Sequence, residues 1–216
     1  NMNKELDDIR HGLQTFTQTF FQAPGKMNIF EEHPFKVMLD YAHNPAAVRA
    51  ISELCSKLEV SGKRIAVISA PGDRRDEDIK EIAAIAAPYF DHFICKADDN
   101  RRGRGEDEIP QLQKNSLIDN GIDKSMINII ADESYAVDAG LKMAEEGDFL
   151  LILGDDITRC WKQIVHFNSE NTVPATTPTK EHTSNSAIED YQFEIEEGQK
   201  IIQDERGVRL AKEESD

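Results

Sequence analysis

The run Val37-Met38-Leu39-Asp40-Tyr41-Ala42-His43-Asn44-Pro45 constrains this chain more than any other stretch. A short apolar segment ends in an acid, and a His-Asn-Pro turn then opens a helical pattern. It reads as a buried strand that delivers Asp40, His43 and a helix N-terminus to one place. Pro45 suits the first helical position, where its missing N–H costs nothing. Asn44 suits the N-cap, where its side-chain oxygen can accept a free backbone N–H. In open α/β sheets, ligands gather beyond the carboxyl ends of strands, where helix N-termini attract anions.

The same rhythm recurs along the chain. Strand-like apolar runs lie at Lys36–Asp40, Arg64–Ser69, His92–Lys96, Ile127–Ala131 and Phe149–Leu153. Helical patterns follow at Pro45–Leu58, Arg75–Pro88, Glu106–Asn120, Glu133–Glu145 and Ile157–His166. Strands alternating with helices imply βαβ units. Continuous rather than alternating apolar runs imply a sheet covered on both faces. The expected fold is therefore α/β, a Rossmann-like, mostly parallel sheet with helices on both faces. An antiparallel edge strand is an option, and an acidic C-terminal extension follows.

Three segments are expected. Residues 1–35 read as a linker or the remnant of a preceding domain. Within them Ile9, Leu13, Phe16, Phe20 and Phe21 are spaced for an amphipathic helix that Pro24-Gly25 breaks. Residues 36–167 form the α/β domain. Residues 168–216 form an Asn/Thr/Ser/Pro-rich linker and the acidic extension. There Tyr191, Phe193 and Ile195 alternate with polar residues, and a Glu-Glu-Gly-Gln turn leads to Lys200-Ile201-Ile202. A small hairpin, an added edge strand and a loose tail are all compatible with that pattern. Asn1-Met2 reads as a cloning scar, so the natural chain is expected to extend upstream.

Composition excludes several classes. The 216 residues carry a net charge of −16, which argues against nucleic acid, since a phosphate backbone needs a basic surface. No apolar run reaches the roughly 18 residues of a membrane span, and no signal-peptide pattern opens the chain. Cys55, Cys95 and Cys160 are scattered in apolar surroundings without zinc-ligand spacing. They read as reduced structural thiols, so no metal site and a cytoplasmic location are expected.

Four strand ends could carry chemistry. At the first, Asp40 can accept from ribose hydroxyls or reach a metal-bound water, and His43 can donate to a phosphate oxygen. The second, Ala70-Pro71-Gly72-Asp73-Arg74-Arg75-Asp76-Glu77-Asp78, opens a helix. Its acids complement the helix dipole, but two arginines at a positive helix end call for an anion. Arg74 and Arg75 can meet carboxylate or phosphate in bidentate fashion. The third, Asp98-Asp99-Asn100-Arg101-Arg102-Gly103-Arg104-Gly105, mixes acids and arginines in a glycine-bearing loop suited to a zwitterion. At the fourth, Gly154 permits close backbone approach to a ligand, and Asp156 is better read as an N-cap. Trp161 falls in an apolar helical pattern and reads as core. Gly-x-x-x-x-Gly-Lys-Ser/Thr, Gly-x-Ser-x-Gly, Gly-x-Gly-x-x-Gly and His-Glu-x-x-His are absent from the sequence.

Asp40-Tyr41-Ala42-His43-Asn44-Pro45 closely resembles the signature that opens the C-terminal domain of the Mur ligase superfamily. Pro71–Asp78 and Asp98–Arg104 turn the resemblance toward its cyanophycin synthetase branch, from about Gly25 to about His166. Residues 99–102 also resemble the Asp-Asn-Pro-Arg loop with which some Mur ligases hold the incoming amino acid, with Arg101 in place of the proline. The resemblance implies an ATP-dependent, amide-bond-forming ligase that adds an amino acid such as arginine or aspartate to a carboxylate through an acyl phosphate.

It further implies that Asp40, His43 and Asn44 face ATP. Asp73, Arg74, Arg75, Asp99, Arg101, Arg102 and Arg104 would line the amino-acid and acceptor side. Mg2+ would be held mainly by a central ATPase domain of the same polypeptide, without which this domain is inactive. No complete catalytic set is expected in the chain itself. Its partners would be an amino acid and an acidic polymer or peptide, not nucleic acid or membrane, and a homo-oligomer stays open. The alternative is a stand-alone, non-catalytic amino-acid- or nucleotide-binding module.

Overall fold

The computed structural model describes Phe20, residues 23–167 and two C-terminal strands. The helix expected through Ile9 and Phe16, and the alternating stretch Tyr191–Ile195, lie outside the described residues.

The strands of the main sheet are β1 (Asn28–Phe30), β2 (Lys36–Asp40), β3 (Arg64–Ile68), β4 (His92–Cys95), β5 (Ile127–Ile129) and β6 (Phe149–Leu153). The helices are α1 (Pro45–Lys57), α2 (Asp76–Ala86), α3 (Glu108–Asp119), α4 (Glu133–Met143) and α5 (Ile157–His166). The strand order is β1-β2-β6-β3-β4-β5, with β2 through β5 parallel and β1 antiparallel to β2. The antiparallel edge strand thus lies at Asn28–Phe30, upstream of the Lys36 boundary read from sequence. Its three residues alternate in burial and carry too little apolar run to stand out as a strand.

Side chains alternate between two cores. Met38, Ala66, Ile68, Phe93 and Leu151 face α1, α2 and α3, meeting Val48, Ile51, Ile82 and Leu117. Val37, Leu39, Ile65, Val67, Ile94, Leu150 and Ile152 face α4 and α5, meeting Val137, Leu141, Cys160 and Ile164. Each fully buried aliphatic side chain contributes about 1.5–3 kcal/mol over an exposed one. The continuous apolar strands of the sequence are what such two-sided burial requires. Trp161 packs on the second core, stacked with Phe20 at a ring separation of 4.8 Å. All three cysteines are buried and free.

Two helix ends follow local chemistry. Pro88 cannot donate to a helical ladder, so α2 stops at Ala86 and the chain finishes in a 3-10 turn, Ala87–Tyr89. Helix α3 stops where Gly121 takes a φ of +90° and donates to the Ile118 carbonyl at 2.9 Å.

A second compact unit covers residues 174–216. In it β7 (Gln199–Asp204) and β8 (Gly207–Lys212) pair antiparallel, with Ile201 opposite Leu210. This hairpin joins Asp204 to Gly207 and lies downstream of the Glu-Glu-Gly-Gln turn read from sequence, with Gln199 already inside its first strand.

Candidate functional site

The parallel register aligns the strand ends in a row: Asp40 opposite Leu153, Val67 opposite Ile152, Ile68 opposite Cys95, and Cys95 opposite Ile129. The loops singled out in the sequence therefore share one edge. After β3 the chain passes by α2 to β4, whereas α5, which follows β6, packs back on β2. Adjacent strands whose connections leave in opposite directions put the topological switch point at β3/β6, the place where such sheets take their ligands.

At the end of β2, Asp40 is 9% exposed. Its Oδ2 accepts from the Met27 N–H at 2.8 Å and its Oδ1 from the Ala42 N–H at 2.7 Å. Burial raises its pKa despite those two amides. The Tyr41 N–H donates to the Gly25 carbonyl at 2.9 Å, and the Gly25 N–H to Asn28 Oδ1 at 2.7 Å. Asp40 thus fastens β1 to the turn that presents His43. Asn44 caps α1, accepting from the Ala47 N–H at 2.9 Å, with Pro45 beside it. His43 Nδ1 lies 2.9 Å from the Tyr41 carbonyl, and its ring packs on the exposed Tyr41 ring at 4.9 Å.

The loops after β3 and β4 interlock. Arg104 Nε donates to the Gly72 carbonyl at 2.8 Å and Nη2 to the Arg74 carbonyl at 2.7 Å, while Nη1 meets Asp76 at 2.8 Å and Glu108 at 2.6 Å. Arg102 pairs with Asp73 across the two loops and holds that carboxyl below its ordinary range. Arg75 makes two hydrogen bonds to Asp78, at 3.1 and 2.8 Å. Arg101 reaches Glu106 at 3.5 Å. Arg74 differs: its guanidinium has no acid partner among the described residues, and its Nε is shut from water without a hydrogen bond. Arg102 takes a φ of +50° ahead of Gly103 at +89°. A non-glycine residue in that region marks strain of the kind stored at binding loops.

Asp73, Arg74, Arg102 and Arg104 thus converge on one cluster, with Arg75 and Arg101 paired at its margin. Asp99 belongs to it through the loop after β4. Asp40, His43 and Asn44 lie at the end of β2, with β6 between them and β3.

Three further charged residues at this edge escaped the sequence reading. Lys96 and Glu133 are fully buried and form an ion pair at 2.9 Å, set off the angle of a well-directed hydrogen bond. Glu133 also accepts from the backbone N–H groups of Asp155 at 2.6 Å and Asp156 at 3.0 Å, and from Arg159 Nη2 at 2.5 Å. Burial alone would raise the Glu133 pKa, but Lys96 and those donors outweigh it and hold it at about 2. Asp155 is pushed up by burial and by the nearby Asp98 charge. A signal for this group existed. Lys96 ends an apolar strand, and Arg159 is a cation in the first turn of α5, the same anomaly that drew notice to Arg74 and Arg75. Asp156 caps α5, accepting from the Arg159 N–H at 3.0 Å. A side chain at Gly154 would press on Leu39 at 3.0 Å and on Cys160 at 3.2 Å, so its absence serves packing.

A mostly parallel sheet whose strand-end loops pool arginines, acids and helix N-termini defines an α/β domain of the doubly wound class. Residues 25–155 match the family described as Mur ligase, glutamate ligase domain, and the chain belongs to that family. It is 37% identical over 155 residues to a cyanophycin synthetase of Crocosphaera subtropica, covering 72% of this chain and 17% of that one. It is 38% identical over 166 residues to a cyanophycin synthetase of Trichormus variabilis, covering 75% and 18%. A UDP-N-acetylmuramoyl-L-alanyl-D-glutamate–2,6-diaminopimelate ligase of Aquifex aeolicus is 34% identical over 132 residues, covering 61% and 26%. The chain therefore spans less than a fifth of the cyanophycin synthetases it matches. Among solved structures, Escherichia coli FolC in complex with ADP superposes with a TM-score of 0.50 at 25% identity, covering 66% of this chain and 31% of that one. A Mycobacterium tuberculosis folylpolyglutamate synthase complexed with ADP shares the fold, with a TM-score of 0.54 at 17% identity and coverage of 75% and 35%.

Proposed function

We propose that this chain is the closing domain of an ATP-dependent acid–amino-acid ligase of the cyanophycin synthetase kind. It adds an amino acid such as arginine or aspartate to a carboxylate, in the cytoplasm. The observation that carries this reading is the pooling of Asp73, Arg74, Arg102 and Arg104 at the strand ends, on the same sheet edge as the turn that presents His43.

The α-carboxylate of the amino acid, or the acceptor's carboxylate, is bound first by Arg74, whose guanidinium has no acid to displace. Arg101, Arg102 and Arg75 follow by exchanging their acid partners. Exposed ion pairs are worth only about 0–1 kcal/mol, so a bidentate substrate carboxylate can replace them. Asp99 supplies an acceptor for the ammonium or guanidinium group. Arg104, committed to two backbone carbonyls, holds the two loops in register on the same side of the site.

On the nucleotide side, the Tyr41 carbonyl can only accept, so His43 Nδ1 carries a proton and donates to it. That leaves His43 Nε2 to meet the ribose or a phosphate of the nucleotide. Asn44 and Asp40 fix that turn through backbone contacts. ATP supplies the phosphoryl group that activates the acceptor carboxylate as an acyl phosphate. Among the described residues no group of His, Cys, Asp or Glu is arranged to hold a metal ion. By the family resemblance, Mg2+ would be held mainly by a central ATPase domain of the same polypeptide. Closure of this domain positions the amine and keeps water from the activated carboxylate.

The test is phosphate release by the full-length polypeptide that carries this domain, with ATP, an aspartate-rich acceptor and each amino acid in turn. Release that depends on both acceptor and amino acid supports the reading. Tight amino-acid or nucleotide binding with no turnover would instead identify a binding module.

A further inference from the structure

Lys96, Glu133 and Arg159 come from three different elements, yet a single carboxylate joins them. Burying charge costs several kcal/mol per ion unless each is paired and hydrogen-bonded, so this arrangement is held for a reason. Glu133 takes Lys96 Nζ, Arg159 Nη2 and the N–H groups of Asp155 and Asp156. With its other terminal nitrogen, Nη1, Arg159 reaches Asp99 Oδ2 at 2.7 Å. The Asp99 N–H in turn donates to Asp155 Oδ2 at 3.1 Å. Asp99 is thus gripped by side chain and backbone together.

The far end of the same loop is tied by Arg104 to the carbonyls of Gly72 and Arg74. Between these two pins, residues 100–103 are exposed.

We infer that Glu133 and Arg159 are positioning residues: Glu133 fixes Arg159, Arg159 fixes Asp99, and residues 100–103 are thereby presented to the amino-acid substrate in one conformation. This rests on the ligase reading above. Neither residue need touch the substrate. A small misplacement of a reacting group costs up to about a hundredfold in rate, so loosening one pin is felt at the amino-acid subsite while the nucleotide side at β2 is spared.

The test uses the full-length enzyme and three variants. Arg159→Lys keeps a cation beside Glu133, but a lysine ammonium lacks the planar fork that spans Glu133 and Asp99 together. It is expected to fold, leave the KM for ATP unchanged and raise the KM for the amino acid about tenfold or more. Asp99→Asn breaks the same link and also removes the charge assigned to the substrate, so it is expected to raise the KM for the amino acid at least as far, and the double variant to be no worse than Asp99→Asn alone. Faster amide exchange across residues 98–104 in Arg159→Lys would show the freed loop directly. Glu133→Gln should match Arg159→Lys if it folds, and if it does not, Arg159→Lys decides. An unchanged amino-acid KM in folded Arg159→Lys overturns the inference, as do additive effects in the double variant. A wild-type enzyme without amino-acid-dependent turnover would refute the ligase reading instead, and is seen before any variant is compared.

Discussion

A methyl group on the α-carbon of Gly72 would stand 2.1 Å from the carbonyl oxygen of Arg101. The loop after β3 and the loop after β4 therefore touch backbone to backbone, and only glycine fits the contact. The obstacle is a main-chain oxygen, so no side-chain rotation relieves it. Gly72→Ala is expected to cost about 1–3 kcal/mol, as for other overpacked sites, and to separate Arg74 from Arg102. Chemical denaturation reads the first effect. An amino-acid KM raised well beyond the change in ATP KM reads the second, and a variant of unaltered stability would refute the contact.

Arg74 and Arg104 sit in the same cluster and are expected to fail differently. Arg74→Ala removes a guanidinium with no acid partner, so stability should stay near wild type while the KM for the amino acid or acceptor rises about tenfold or more, the loss of a charge-assisted pair. Arg104→Ala leaves the Gly72 and Arg74 carbonyls without their donor, at about 1–3 kcal/mol. A thermal melt with substrate titration separates the two, and identical behaviour would refute the division of labour.

Much of this was legible because strands and helices announce themselves by period. β2 and β6 run between the residues read from sequence, and Asn44 caps α1 as the Asn-Pro pair foretold. β1 was not legible, since a three-residue edge strand depends on pairing with β2 and not on its own pattern. Lys96, Glu133 and Arg159 were hidden for a related reason. Glu133 reads locally as an ordinary acid at a helix start, and although Lys96 and Arg159 stand out singly, only the crossover order of the sheet brings the three together. Asp40 shows the same limit: sequence gives its place at the strand end but not that Met27 and Ala42 already occupy its two oxygens.

Acid stability should depend on Glu133. Folding lowers its pKa from 4.5 to about 2. Its contribution is fully present above 4.5 and lost as pH falls through the folded value. Asp40 and Asp155 act in the opposite sense: burial raises them, so each costs stability at neutral pH and that cost is relieved on acidification. Asp73 and Asp78, held down by Arg102 and Arg75, add to the Glu133 direction. Unfolding free energy measured between pH 5 and 2.5 should therefore fall less steeply in Glu133→Gln than in wild type, provided the variant folds. Parallel slopes would show that Glu133 is not the group responsible.

Asp40→Asn tests whether the strand-end acid serves the nucleotide by contact or through the turn it ties. Both carboxylate oxygens are occupied by backbone donors, Met27 and Ala42. An asparagine offers one oxygen and sets an NH2 group against the other N–H, leaving a buried donor unpaired at about 1–3 kcal/mol. The variant is expected to loosen β1 from β2 and to free the turn at His43. Amide exchange of Met27 and Ala42 should quicken, and ATP affinity should fall with it. Asn44→Ala isolates the helix start: the lost cap costs about 1 kcal/mol, with Asp40 and its two bonds left in place. If Asp40→Asn weakened ATP binding while exchange at Met27 and Ala42 stayed slow, the acid would be acting on the nucleotide itself and not through the turn.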